Sequence, residues 1–281
     1  MMCRRAVHQT RNAARLDESA PSRHPVREGR RKEMPMAYEE VTIRTADGDC
    51  PVHVLTPDGA GPWPAVIIYM DAFGVRPALD DIARRLAENG YVALLPDLFY
   101  RAPDHHIPPP AEVFAGGNMR EVIGPFMATT GPDKAAEDTR YLLDYLDTRT
   151  DVKGERIGTV GFCMGGGMAI AAAGTYPDRV AAAVSFHGGR LATDEANSPH
   201  LLAPTIEAEV YVAGADEDGS YPPEMHERLK AAFDEAGVNY RAEIYPGAEH
   251  GWMKPDFPIY DEAAAERGWH EMLAVFGRNL G

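Results

Sequence analysis

Gly161-Phe162-Cys163-Met164-Gly165-Gly166-Gly167 sets one cysteine in the middle of a glycine-rich turn. Upstream, Arg156-Ile157-Gly158-Thr159-Val160 reads as a short strand. Downstream, Met168-Ala169-Ile170-Ala171-Ala172-Ala173 reads as the opening of a helix. A side chain displayed on so sharp a strand-to-helix turn needs bare backbone around it, which accounts for glycine at 161 and 165. A helix starting at the cysteine aims its free N–H groups at the sulfur and favours a thiolate or an oxyanion there. No Lys-Ser/Thr follows the glycines, and G-x-G-x-x-G does not fit, so the turn is not a phosphate loop.

Two later stretches complete a constellation. Glu209-Val210-Tyr211-Val212-Ala213 reads as a buried strand ending in Gly214-Ala215-Asp216. Arg241-Ala242-Glu243-Ile244-Tyr245 alternates like a strand and leads into Pro246-Gly247-Ala248-Glu249-His250-Gly251-Trp252. The order nucleophile, acid, base, each in a loop after a strand, is that of the α/β-hydrolase fold, here with cysteine as nucleophile. A lone cysteine in a Gly-rich turn is often only a small buried hydrophobe; the ordered partners favour the nucleophile. His187 competes with His250 but precedes the acid and so breaks the order. Asp218 competes with Asp216, and the strand exit points to Asp216.

Elsewhere strands and helices alternate. Val41–Thr45 and Pro51–Leu55 form an opening antiparallel pair. Strands follow at Ala65–Tyr69, Tyr91–Leu95, Val180–Phe186 and Tyr240–Tyr245, and helices at Pro77–Asn89, Pro132–Asp147, near Pro222–Ala236 and over roughly Pro258–Phe276. This predicts an α/β chain with a mainly parallel central sheet and helices on both faces, its ligands beyond the C-terminal strand ends. Residues 102–131, rich in Pro and Gly, read as a long irregular connection lying over the site. His105 and His106 beside Asp104 lack a suitably spaced third ligand, and no metal site is read there.

The 281 residues, 44% hydrophobic, suffice for one large α/β domain. A formal charge of −15 argues against nucleic acid and anionic membrane as partners, and no apolar run reaches spanning length. Cys3, Cys50 and Cys163 are too few and scattered for a disulfide framework, which implies a reducing, cytoplasmic setting; Cys3 and Cys50 are expected to be inert. Residues 1–33 hold nine Arg and Lys against four Asp and Glu, with little apolar periodicity. Residues 1–36 are expected to be a disordered extension without function, translation starting at Met34 or Met36, and 37–281 the α/β-hydrolase domain.

From about Tyr38 to the C-terminus the sequence closely resembles the dienelactone hydrolase family. The resemblance rests on Asp71-Ala72-Phe73-Gly74-Val75, Pro96-Asp97-Leu98-Phe99, the cysteine elbow, Gly214-Ala215-Asp216 and His250-Gly251-Trp252. It implies a Cys163, Asp216, His250 triad and an oxyanion hole of the Met164 and Ala72 amides. It also places Asp71 where the family has a glutamate that holds the resting thiol, one methylene shorter here. Arg101 and Lys254 stand where the family has two arginines that clamp a substrate carboxylate; lysine keeps the charge and loses the fork. The implied activity is hydrolysis of an ester or lactone through a thioester, with no metal or organic cofactor. The alternatives are a thioesterase or small-ester carboxylesterase on the same scaffold, and a non-catalytic redox-sensitive thiol protein.

Overall fold

Apolar runs without alternation, such as Ala65–Tyr69 and Val180–Phe186, must be covered on both faces and therefore belong inside a sheet. The computed structural model, which describes residues 37–102 and 106–281, places them there. The expectations for residues 1–36, with Cys3, and for His105 lie outside the described residues. Eight strands form one sheet: β1 (Ala37–Arg44), β2 (Asp49–Thr56), β3 (Ala65–Tyr69), β4 (Val92–Pro96), β5 (Ile157–Phe162), β6 (Val180–Phe186), β7 (Glu209–Ala215) and β8 (Tyr240–Tyr245). Their order is β1-β2-β4-β3-β5-β6-β7-β8. β2 is antiparallel to both its neighbours, and every other pairing is parallel.

The α-helices among the described residues are α1 (Pro77–Glu88), α2 (Pro110–Gly116), α3 (Met119–Met127), α4 (Pro132–Asp147), α5 (Met164–Thr175), α6 (Pro223–Ala236) and α7 (Glu262–Asn279). Adjacent residues of β5 show the two layers. A Cβ at Gly158 would lie 2.8 Å from Phe276 of α7, whereas the Thr159 hydroxyl donates to Ala169 of α5. α4 packs beside α5, and the Tyr69 hydroxyl pairs with Thr139 of α4 at 2.6 Å. None of the described helices is long and apolar enough to cross a membrane.

The stretch read as irregular contains α2 and α3. Pro110 sits at the first turn of α2, where its missing N–H costs nothing, and Gly117 closes that helix in the left-handed conformation. Val113 and Ile123 are buried with Ala72, Phe73 and Phe257, and Cys163 packs against the same cluster. Each such side chain contributes about 1.5–3 kcal/mol on full burial. That packing, made with residues distant in the chain, holds two short helices whose own sequence is rich in breakers. They form a cap over the C-terminal ends of the parallel strands.

Candidate active site

The elbow is as tight as its glycines suggest. A Cβ on Gly161 would stand 1.8 Å from the Gly165 carbonyl oxygen, and one on Gly165 2.2 Å from that of Tyr69. Cys163 itself takes φ 53°, a left-handed backbone rare for a side-chain-bearing residue and held only where the surroundings demand it. Its N–H is shared between the Phe186 carbonyl at 3.1 Å and Nδ1 of His187 at 3.2 Å. The close approach of Gly165 to the end of β3 also brings the Asp71-Ala72 turn beside the elbow.

His250 lies in the loop after β8, as expected. Its Nδ1 meets Asp218 Oδ2 at 2.6 Å and Ser220 Oγ at 3.2 Å, and the ring lies beside Cys163. With Nδ1 engaged, Nε2 is the nitrogen left for the sulfur. Burial would lower the imidazole pKa. The neighbouring Cys163 and the hydrogen bond that the ring donates to Asp218 overcome this and raise it to about 10.

The structure sets Asp218, rather than Asp216, against this histidine. β7 continues through Ala215, so Asp216 is still tied to the outer rim: its carboxylate accepts from the N–H of Gly247 at 2.9 Å and of Glu217 at 3.1 Å. Glu217 then adopts φ 49° and turns the chain inward. Asp218, its side chain only 3% exposed, also accepts from the N–H and hydroxyl of Ser220 at 2.8 and 2.7 Å. Burial would raise its pKa, but the hydrogen bonds from His250 and Ser220 win and hold it below the usual carboxylate range. Ser220 was missed; the Asp-x-Ser spacing, which makes an Asx turn, was the available signal.

His187 is not the base. It is fully buried, with Nδ1 accepting from the elbow, and it sits edge-on to His250 with ring centroids 5.3 Å apart. Burial, then the charges of His250 and Lys254, push its pKa well below that of free imidazole, so it stays neutral. It serves as an acceptor for the Cys163 backbone N–H.

Three expectations drawn from the resemblance need correction. Asp71 is not placed to hold the thiol. Its buried carboxylate takes a fork from Arg76 at 2.8 and 3.0 Å and the Phe73 N–H at 2.9 Å, and Lys254 Nζ stands 3.7 Å away. Arg76, the unforeseen partner, grips Asp256 as well. Arg101 is not a free clamp: it forks onto Asp138 at 2.8 and 2.9 Å and reaches Asp47 at 2.7 Å. Lys254 is 0% exposed, with Nζ 3.3 Å from the centroid of the Phe162 ring, which no substrate carboxylate can reach without rearrangement. Burial lowers its pKa to about 7 against the pull of Asp71. Met164 and Ala72, the expected oxyanion donors, flank Cys163 in the same apolar cluster. Cys50 is buried, its thiol pushed up by burial.

A strand order of this kind, with a strained Cys163 turn after β5 and a histidine–carboxylate pair after β8 and β7, defines an α/β-hydrolase. Residues 51–280 match the model of the dienelactone hydrolase family, and the chain belongs to that family. It is a hydrolase of the carboxymethylenebutenolidase-like class. A "Putative carboxymethylenebutenolidase" of Synechocystis sp. is 29% identical over 245 residues, covering 85% of this chain and 96% of that one. A "Putative Dienelactone Hydrolase" from Klebsiella pneumoniae superposes with a TM-score of 0.75 at 26% identity, over 87% of this chain and all of the other. A dienelactone hydrolase-like promiscuous phosphotriesterase from metagenomic libraries is similar at a TM-score of 0.69 and 25% identity, over 88% of this chain and 99% of its own.

Proposed function

We propose that the protein hydrolyses carboxylic esters or lactones through a thioester on Cys163, with His250 as base and Asp218 as the acid that orients it. The observation carrying this reading is the position of His250, hydrogen bonded to Asp218 and set beside the elbow cysteine. Sγ attacks the carbonyl carbon, and the oxyanion is received by the amides of Met164 and Ala72. Collapse expels the alcohol, which takes its proton from His250.

The electrostatics suit both halves of the cycle. While Cys163 is charged, it helps to keep the proton on His250. Acylation removes that charge, and the largest influence raising the imidazole pKa disappears with it. His250 can then give up its proton to the leaving alcohol and next accept one from water. Water attacks the thioester carbonyl, the carboxylic acid departs, and the Cys163–His250 pair reforms.

The alternative of a redox thiol without turnover is separated by one experiment. A small aryl ester should be hydrolysed by the protein, and Cys163→Ala or prior iodoacetamide treatment should lower the rate by several powers of ten. Full activity of that variant would overturn the mechanism. Two free thiols among the described residues favour a reducing, cytoplasmic compartment.

A further inference from the structure

We propose that the acyl half of the substrate is uncharged and seats in a cavity beside the elbow, so that the enzyme discriminates against carboxylate-bearing esters and lactones. This rests on the ester-hydrolase reading above and narrows it. The cavity has a volume of about 280 Å³. Met164, the residue after the nucleophile, forms part of its wall together with Met127 of α3 and Met168 of α5. Thioether walls adapt to flexible apolar chains. Met164 links the cavity to the elbow, while Cys163, His250 and Asp218 themselves are not part of its wall. The leaving alcohol must reach His250 to be protonated, so the half that turns toward the cavity is the acyl group.

The charge around the site is arranged against an anion. Arg190 lines the cavity but pairs with Glu195, which lines it too, at 2.5 Å. Lys134, near the same rim in sequence, is half-buried and donates to the Thr129 carbonyl at 3.2 Å. Arg101 is held by Asp138 and Asp47, and Lys254 is sealed behind Phe162. Behind the elbow, Asp71 and Asp256 match Arg76 and Lys254 in number. Asp218 beside the Cys163–His250 pair, which is neutral as a whole, leaves one net negative charge at the reacting centre. A carboxylate brought here is desolvated beside that charge, and the cation on the cavity wall, Arg190, is already paired with Glu195. The remaining polar residues of the cavity wall are neutral: Thr130, Thr193, Asn197 and Ser198.

The test uses two esters of equal acyl length and the same leaving group, p-nitrophenyl valerate and p-nitrophenyl hemiglutarate, at fixed pH and ionic strength. The valerate should show a kcat/KM higher by about tenfold or more. Equal or faster turnover of the hemiglutarate would overturn the inference while leaving the ester-hydrolase reading standing. Cys163-independent or absent turnover of both would overturn that reading and this inference with it. The seating is tested by Met127→Trp, at a position exposed enough to accept the ring. Filling the cavity should lower the ratio of valerate to acetate kcat/KM by about threefold or more. A ratio equal to that of the wild type would show that the acyl chain lies elsewhere.

Discussion

Asp218→Asn would leave His250 facing an amide that can present a donor instead of an acceptor, so the ring loses the partner that fixes its tautomer. The expected cost is about 10²- to 10⁴-fold in kcat/KM on an aryl ester. Asp216→Asn removes only bonds to two backbone N–H groups at the rim, and should cost less than about threefold. Equal losses in the two variants would contradict the assignment of the acid. A second prediction concerns the resting thiol. Asp71 is fully engaged by Arg76 and Phe73, so nothing it does withholds Cys163 from His250. With the pKa of His250 raised to about 10, its proton is retained below that value and is present throughout the neutral and mildly acidic range. Peptide mapping after iodoacetamide should therefore show rapid labelling of Cys163 at pH 6 as well as pH 8, with Cys50 unlabelled. Rate loss at pH 6 to the level of an ordinary thiol would rule out a standing ion pair. At this scale Cys163 and His250 were legible because residue type, glycine context and chain order all agree. Asp218 was not, since two more residues of β7 and one left-handed residue decide which carboxylate turns inward. The depth of Lys254 was illegible for a similar reason: burial on Phe162 is set by how separate loops meet.

The elbow tolerates no side chain at its hinge. Gly161→Ala would drive a methyl into the Gly165 carbonyl, backbone against backbone, where no rotamer change relieves the contact. Loss of soluble protein, or a fall in stability beyond about 4–5 kcal/mol in urea, is expected; a stable, active variant would show that the turn can open. β3, α4, β6 and β8 could be bounded from sequence because buried β-branched runs and helical spacing end at clear punctuation. α2 and α3 could not. Pro109-Pro110, Gly116-Gly117 and Pro125 look like breakers, yet Pro110 starts one helix and Gly117 ends it, while Phe73 and Phe257 supply the burial from afar. Local propensity lost to tertiary packing there.

Across the whole molecule, the sheet places β3 beside β5 although β4 and four helices separate them in the chain. Cys163, Asp218 and His250 hang from β5, β7 and β8, so no contiguous portion short of β5 through the loop after β8 contains the three of them. Such non-local pairings form late and slowly. In refolding from urea, ester turnover should return no sooner than the fluorescence of Trp252, followed in a variant whose Trp63 and Trp269 are phenylalanine; activity that preceded it would contradict this order. The consequence reaches back to synthesis. While the chain is on the ribosome Cys163 emerges well ahead of His250. The nascent protein thus carries its elbow cysteine without the imidazole beside it, and the two meet only when the last strand has docked.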